Sequence, residues 1–284
     1  MARDIDPSLN RRRLRIELRK AREATGQTQT DAAQALDWSL SKIMRIEAGT
    51  VSVSVTDLRA LLQHYEVRDE HLRNELEEAA RGSRGLSWWT QYNDVLNPGF
   101  RQYLGYESAA ASIRTYHPIV VPGLLQTEDY AMAMLAPHVE EARARRIVEL
   151  RTERQERALE GETPPWTFFI LDEAALHRQI GGTRVLRGQL QHLLDVAQQP
   201  RVSLQVLPFT AGAHFATLNS FILLGFTDDD DLLYRESEGN QTIRDDHELI
   251  VRHQECFESL REIAYSGDLA IDLISKTRDG LDTS

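Results

Sequence analysis

Hydroxyl residues stand at three helix-capping positions, Thr28, Ser39 and Ser54, and divide the first 65 residues into short segments. Ser and Thr favour such positions because the side-chain oxygen accepts a hydrogen bond from a free backbone N–H of the first helical turn. Gly26 and Gly49 end two of the segments, as glycines that follow a helix commonly do. Helices shorter than about 12 residues are marginal when isolated. We therefore expect these segments to pack together as a bundle.

The apolar periodicity of this region predicts five helices. They are expected at about residues 9–25, 29–36, 39–48, 56–65 and 69–80, before a Gly-rich linker at 82–85. A break at Asp37 and Trp38 separates the second helix from the third, and Ala32 and Ala33 stand where the two helices must approach closely. Two helices joined by a turn of three or four residues are typical of a helix-turn-helix.

Three short motifs carry a resemblance to a known family. They are Thr28–Ala33 (TQTDAA), Trp38–Ile43 (WSLSKI) and Arg45–Gly49 (RIEAG). Over roughly residues 10–65 the chain resembles the phage-repressor-type, or xenobiotic-response-element (XRE), helix-turn-helix family. Asp37 stands where that family usually has a glycine with a left-handed backbone. Because Asp tolerates this conformation better than most residues, we expect a small stability cost and an intact fold.

The resemblance implies that the third helix lies in the major groove of DNA. Residues at spacings i, i+1, i+4 and i+5 share one side of a helix. The residues predicted to contact bases on that side are Leu40, Ser41, Met44 and Arg45. Arg45 suits the O6/N7 edge of guanine or a phosphate, and Ser41 suits either kind of base, whereas the two apolar side chains suit thymine methyl groups. An ordinary exposed helix face is the alternative.

Further contacts are expected around this helix. The residues predicted to contact DNA phosphates are Gln29, Thr28, Lys42 and Arg19. Gln29 begins the second helix, whose free N–H groups favour an anion. Arg22 and Glu47 match the buried structural ion pair that this family has between its first and third helices. Breaking one partner of such a pair typically costs about 3–5 kcal/mol.

Charge is distributed unevenly along the 284 residues, which carry a formal net charge of −11. Residues 1–85 carry 15 Lys and Arg against 14 Asp and Glu, and the remainder carries 18 against 30. So small a positive excess limits the affinity that counterion release can supply, and each good base contact adds only about 1–3 kcal/mol. We therefore predict a homodimer on a palindromic operator in double-stranded DNA, with half-sites about one helical turn apart.

The rest of the chain alternates helical and strand patterns. Strands are predicted at Ser112–Tyr116, Trp166–Leu171, Val202–Pro208, Ser220–Phe226 and Leu232–Ser237, the last two joined by the acidic loop Asp228–Asp231. A long helix over about Val139–Leu159 is dense in Arg and Glu at i,i+4-type spacing. The predicted organisation is an all-α helix-turn-helix bundle at residues 1–82, followed by a larger α+β domain at residues 83–284.

Motifs in this second region carry another resemblance. Examples are Val121–Thr127 (VPGLLQT), Leu171–Leu176 (LDEAAL) and Gln205–Phe209 (QVLPF). Over roughly residues 85–275 the chain is similar to the uncharacterised C-terminal domain of actinobacterial WhiJ-like regulators. The resemblance implies a transcriptional regulator whose C-terminal domain is an effector domain. Its expected partner is a small-molecule effector or a small acidic protein.

Enzyme motifs are absent from the sequence, which has no H-E-x-x-H, no G-x-S-x-G, no phosphate-binding P-loop and no G-x-G-x-x-G. One cysteine, Cys256, excludes an internal disulfide and a Cys-rich metal site, and we expect it to pack in the core. We expect no cofactor, no metal and no catalysis. No apolar stretch is long enough for a membrane span and no signal peptide is evident, so a cytoplasmic protein is expected. A protein-interaction module of the antitoxin kind, with secondary DNA binding, is the alternative function.

Overall fold

The computed structural model describes residues 7–49, 51–85, 87–214, 216, 219–227, 230–237 and 240–281. They divide into two units. The first lies within Met1–Thr90 and includes Leu104–Ala109, and the second lies within Gln91–Tyr103 and Ala110–Ser284. The N-terminal region is helical, and the region after it combines helices with a mixed sheet, which confirms the predicted fold class. The predicted domain boundary after residue 82 stays a prediction.

Five helices open the chain, as predicted. They are α1 (Pro7–Ala24), α2 (Gln29–Ala35), α3 (Leu40–Glu47), α4 (Val55–His64) and α5 (Glu70–Gly82). A 3-10 turn follows at Trp88–Tyr92. Each α-helix begins and ends within about two residues of the bounds that the apolar spacing predicts, which is the accuracy expected of helix ends.

The predicted caps set the helix N-termini. Thr28 and Asp31 form a capping box, in which the Thr28 Oγ1 accepts from the Asp31 N–H at 3.2 Å and the Asp31 carboxylate accepts from the Thr28 N–H at 2.8 Å. The hydroxyls of Ser39 and Ser54 each accept from the backbone N–H three residues further on, at 3.3 and 2.9 Å. These bonds satisfy N–H groups that have no partner within the helix.

Asp37 makes the turn between α2 and α3 with a left-handed backbone, at φ +52°. This confirms the conformation expected at that position. The turn brings the Trp38 N–H to the Ala33 carbonyl at 2.9 Å, which closes α2.

The apolar sides of the five helices meet in one core. Its buried members are Leu14, Leu18, Ala32, Ala33, Ile43, Ile46, Val53, Leu58, Leu61, Leu62, Tyr65, Leu76, Ala79 and Ala80. Ala32 of α2 is fully buried, so its small side chain allows the close helix approach that the sequence predicts. This core fixes which side of α3 faces outward.

The remaining elements build the α+β region. The strands are β1 (Ser112–His117), β2 (Trp166–Asp172), β3 (Val202–Leu207), β4 (Phe221–Gly225), β5 (Leu232–Ser237) and β6 (Asn240–Arg244). The helices are α6 (Pro98–Ala109), α7 (Glu128–Leu135), α8 (Glu141–Gln155), α9 (Glu173–His177), α10 (Gly182–Val196), α11 (His247–Ile263) and α12 (Asp268–Gly280).

The six described strands form a mixed sheet in the order β3-β2-β1-β4-β5-β6. The pairs β1–β2 and β2–β3 are parallel, whereas β1–β4, β4–β5 and β5–β6 are antiparallel. Parallel neighbours need a crossover connection. Helices α7 and α8 lie in the first crossover, and α9 and α10 in the second.

Neighbouring residues of β1 point to opposite faces of the sheet, as the strand pleat requires. On one face, Tyr116 joins a core that includes Leu223, Phe257 and Cys256. This burial confirms that Cys256 packs in the core. On the other face, Thr115 lies opposite Phe169 of β2 and Ile222 of β4, and Ile222 lies opposite Tyr234 of β5. We name these four residues the cross-sheet row.

A short bridge covers the outer edge of β3. The Val206 N–H donates to the Tyr265 carbonyl at 3.0 Å, and the Tyr265 N–H donates back to the Val206 carbonyl at 2.7 Å. At the other end of the sheet, β6 pairs with β5, and within the described residues no strand pairs with its outer side.

Two elements differ from the sequence prediction. Strand β6 was not predicted, because its sequence, NQTIR, is polar and lacks apolar alternation, which an edge strand does not need. The predicted long helix ends as α8 at Gln155 and continues as a π-helical turn over Glu156–Glu160. Asp228 and Asp229 of the predicted acidic loop lie outside the described residues.

The backbone at Asp37 gives a first test. Replacing Asp37 with Gly is expected to leave the first unit more stable than replacing it with Val, by about 1–2 kcal/mol, because only Gly adopts positive φ without steric cost. Hydrogen exchange at the α2 and α3 amides measures this difference. The same two substitutions at the exposed helical residue Gln34 should rank in the reverse order. If the Gly and Val variants have the same order of stability at residue 37 as at residue 34, the backbone at Asp37 is not strained.

Candidate nucleic-acid interface

One side of α3 is exposed along its whole length. The α3 outer face consists of Leu40, Ser41, Met44 and Arg45, all of them exposed. The two apolar members of this face, Leu40 and Met44, are 41% and 50% exposed. Ile43 on the opposite side is only 1% exposed and holds the helix in the core. The structure therefore places the four predicted base contacts together on an accessible surface.

Arg45 is positioned by its own helix. Its Nε donates to the Ser41 carbonyl at 3.2 Å, so the guanidinium lies along the α3 outer face. A guanidinium presents several N–H donors in a planar fork, which suits the bidentate recognition of a base edge or a phosphate.

Glu47, near the end of α3, is buried and accepts hydrogen bonds from two other helices. Its two carboxylate oxygens accept from Arg22 of α1, from Nε at 2.7 Å and from Nη2 at 3.0 Å. The Gln29 amide of α2 donates to the same carboxylate at 2.8 Å. Arg22 also donates from Nη1 to the Gln27 carbonyl at 2.6 Å. We name Arg22, Gln27, Gln29 and Glu47 the Glu47 network; it joins α1, the α1–α2 turn, α2 and α3.

Arg22 and Glu47 of this network are buried. The hydrogen bond to Glu47 raises the pKa of Arg22 despite the opposing effect of burial. Burial, with the nearby charge of Glu47 as a smaller cause, raises the pKa of Tyr65 to about 12. Because charges interact more strongly where water is excluded, Glu47 is an effective anchor for the arginine.

Two predicted phosphate contacts are occupied within the protein. The half-buried Gln29 amide is bound to Glu47. The Thr28 hydroxyl donates to the Asp31 carboxylate at 2.7 Å, and the hydrogen bonds from Thr28 hold the pKa of Asp31 below its usual value. The N-terminus of α2 thus already has an anionic partner. The sequence contained the signal for Asp31, a capping box, but none for the bond between Gln29 and Glu47.

The two predicted phosphate-binding cations also have acidic partners. Lys42 Nζ lies 2.9 Å from Asp57 Oδ1 of α4 and 3.5 Å from the centroid of the Trp38 ring, so it braces α3 against its neighbours. Arg19 Nε lies 2.9 Å from Glu23 Oε1, and both side chains are exposed. Of the two, Arg19 is the more accessible to a phosphate.

The second unit contains a cavity of about 440 Å³, lined mainly by apolar and aromatic side chains. Arg151 and Arg154 of α8 reach it, together with Ile147 and Leu150. The sequence pattern does not distinguish these two arginines, because the many Arg and Glu residues of this helix indicate a solvated surface. The i, i+3, i+4, i+7 spacing of the four residues was the available signal.

A larger groove of about 800 Å³ lies along another side of α8. Two arginines that line it are already paired, Arg145 with Glu141, and Arg157 with Glu153 at 2.8 Å. Among the described residues, no three His, Cys, Asp or Glu side chains come together as a metal site. No helix in the described part of the chain has the length and apolar composition needed to cross a membrane.

Comparison with known protein families agrees with this division of the chain. A family model described as a helix-turn-helix domain matches residues 13–76, which contain the α3 outer face and the Glu47 network. This domain supports a DNA-binding regulator. A second model, described as a domain of unknown function (DUF5753), matches residues 100–276, more than half of the chain. The chain belongs to the DUF5753 family. No curated protein and no solved structure matches it significantly.

The Glu47 network generates a stability prediction. Glu47→Gln leaves Arg22 buried without a carboxylate, so the free energy of unfolding of the first unit should fall by about 3–5 kcal/mol. The double replacement Arg22→Met with Glu47→Leu should recover most of this loss, because it removes both buried charges. Hydrogen exchange of the α3 amides measures both effects.

The control is the exposed Arg68–Glu66 pair. Glu66→Gln should leave the exchange of the α3 amides unchanged, because exposed ion pairs contribute little. If Glu47→Gln behaves like Glu66→Gln, the network does not hold the domain together.

Proposed function

We propose that this protein is a sequence-specific, DNA-binding transcriptional regulator of the XRE type. The observation that carries the proposal is the α3 outer face, in which the four predicted base-contacting side chains are exposed together on the third helix of a helix-turn-helix domain. On docking, the N-terminal part of α3 enters the major groove. The buried Glu47 network and the core hold α3 in the orientation that presents this face.

Each residue of the α3 outer face has a chemical role in the proposal. Arg45 donates to guanine O6 and N7, or to a phosphate, and Ser41 donates to or accepts from a neighbouring base. Leu40 and Met44 contact thymine methyl groups, and this contact removes their exposed apolar surface from water.

Phosphate contacts fix the register of the protein on the duplex. Arg19 is the strongest of the four candidates, because an exposed ion pair such as Arg19–Glu23 exchanges for a phosphate at little cost. The other three candidates already have partners within the protein: Lys42 has Asp57, Gln29 has Glu47 and Thr28 has Asp31. To contact a phosphate, each must share or leave that partner. The side chains of the α3 outer face are therefore more readily available to DNA than Gln29 and Thr28 at the start of α2.

Arg45→Ala tests the assignment of the reading face. We expect the affinity for a selected operator to fall about 5- to 150-fold, the equivalent of a lost contact of about 1–3 kcal/mol, with little change in non-specific binding. Electrophoretic retardation by the full chain, with salt varied and the fold checked by circular dichroism, gives the measurement.

Arg59→Ala is the matched control for Arg45→Ala. Arg59 is an exposed arginine of α4 whose guanidinium lies 2.6 Å from Glu77. Its replacement removes the same charge away from α3 and should leave operator affinity unchanged. If the Arg45→Ala variant binds the operator as tightly as the unaltered chain does, Arg45 is not part of the interface.

Two copies are proposed to bind one operator. The N-terminal region has almost balanced charge, and the predicted phosphate-binding cations Arg19 and Lys42 have acidic partners, so one copy makes few strong contacts. A homodimer on a palindrome doubles these contacts.

Sedimentation of the complex measures this stoichiometry. We expect two chains per operator, and loss of specific binding when five base pairs are inserted between half-sites spaced by about one helical turn. The insertion turns the second half-site to the opposite side of the duplex. Full-affinity binding of a single chain to one half-site contradicts the dimer.

The C-terminal domain is proposed to be a non-catalytic effector domain of the kind found in actinobacterial WhiJ-like regulators, acting inside the cytoplasm. Its cavity of about 440 Å³ supports a small-molecule effector, because ligand pockets commonly fall between about 300 and 1,000 Å³. A protein-interaction module of the antitoxin kind is the second candidate. Copurification of a stoichiometric small protein that covers the α3 outer face and blocks DNA binding favours that candidate.

A further inference from the structure

We infer that the cavity of the second unit binds a small organic monoanion, a carboxylate carried on an apolar or aromatic body. The inference deepens the effector role proposed above and depends on it for its regulatory meaning. The binding site itself is defined by the geometry and the charged groups of the cavity.

The floor of the cavity is the cross-sheet row. Phe169, Thr115, Ile222 and Tyr234 come from four adjacent strands, and all four line the cavity. Helix α8 and the segment around Gly123 form other walls, together with Phe100 and Tyr103. The Phe100 and Tyr103 rings stack at 5.5 Å, and the Tyr103 and Tyr234 rings lie 4.2 Å apart. These surfaces suit an apolar or planar body.

Two guanidinium groups converge on one wall. A Cβ built on Gly123 lies 3.2 Å from Arg154 Nη1 and 3.6 Å from Arg151 Nε, so both cations lie against the same point of the chain. Arg154 also donates from Nη2 to the Tyr103 hydroxyl at 3.1 Å. Two adjacent guanidinium groups form a strong site for a carboxylate.

Arg151 lacks an ion-pair partner within the described residues. Its described hydrogen bond goes to the neutral amide oxygen of Gln126. Desolvation, with the repulsion of Arg154 as a second cause, lowers the pKa of Arg151 to about 10, and the charge of Glu236 opposes this effect. The half-buried guanidinium of Arg151 is stabilised by an anion that enters the cavity.

Neutral polar groups complete the site. Thr115 is 2% exposed, and neither its Oγ1 nor His117 Nδ1 has a hydrogen-bond partner among the described residues. Burial lowers the pKa of His117 to about 4, so the imidazole is neutral at pH 7. Buried polar atoms normally have partners, and these two are available to the polar end of a ligand.

Charge balance selects the class of ligand. Within the described residues no carboxylate forms an ion pair with Arg151, so one positive charge of the lining is left to be matched. A carboxylate supplies one negative charge, whereas a phosphate monoester supplies nearly two at pH 7. The cavity is also far larger than the roughly 30 Å³ that one water molecule occupies.

The test is isothermal titration calorimetry on the full chain without DNA. Octanoate and 2-naphthoate represent a flexible and a planar carboxylate, their amides are the neutral controls, and octyl phosphate is the dianionic control. We expect at least one carboxylate to bind at one site per chain, at least about tenfold more tightly than its amide. Octyl phosphate should bind less tightly than octanoate.

Three variants assign this preference to the cavity. Arg151→Met should abolish the preference for carboxylate over amide while the protein remains folded, because it removes a half-buried charge but keeps a long side chain in its place. Thr115→Val preserves shape and should weaken carboxylate binding by about two- to tenfold. Arg145→Met, on another side of α8, should change nothing.

Several outcomes overturn the inference: neither carboxylate binds better than its amide, octyl phosphate binds best, or Arg151→Met keeps the preference. Because no DNA is present, the result is independent of the regulator proposal. If the chain binds carboxylate but recognises no operator, the proposed function is overturned and the carboxylate site is retained. If the chain recognises an operator but shows no preference for carboxylate, the carboxylate site is overturned and the proposed function is retained.

Discussion

The helix-turn-helix depends on the hydrogen bonds and ion pair that the buried Glu47 carboxylate makes with Arg22 and Gln29. Helices of seven or eight residues, such as α2 and α3, are not stable alone, and their relative positions must be set by contacts between them. Glu47 supplies such contacts at the end of α3, where it binds Arg22 of α1 and Gln29 of α2. Because removal of either charge leaves the other buried, the network favours one arrangement of the three helices over looser alternatives.

Local signals in the sequence predict much of this fold. Hydroxyl caps and apolar spacing depend on neighbouring residues, so they are visible without the structure, whereas the left-handed turn at Asp37 was expected from the resemblance to the XRE helix-turn-helix family. The bond between Gln29 and Glu47 joins residues 18 positions apart and has no local signature. Strand β6 is fixed by its pairing with β5. Its own sequence has no alternation of apolar and polar residues that would predict a strand. Arg151 and Arg154 illustrate the same limit, since burial of part of a charged helix depends on what packs against it.

The two candidate sites use charge differently. In the helix-turn-helix domain, Lys42 and Arg19 are paired with Asp57 and Glu23, so the proposed recognition depends on the shape and donors of the α3 outer face. In the cavity, two arginines from one helix face converge, and Arg151 has no carboxylate partner among the described residues. The first arrangement is expected to give a stable domain with modest non-specific affinity for nucleic acid. The second keeps a half-buried charge that costs stability until a ligand matches it.

The bridge between Val206 and Tyr265 has a consequence for how copies of this protein meet. An uncovered strand edge is a template for pairing with another chain, and the bridge occupies both backbone hydrogen-bonding groups of Val206 at the edge of β3. The opposite edge, β6, has a polar sequence that ends in arginine, a composition that discourages edge-to-edge pairing. Continuation of the sheet into a second copy is therefore disfavoured at both of these places, which favours helical or loop surfaces for the proposed pairing of two copies.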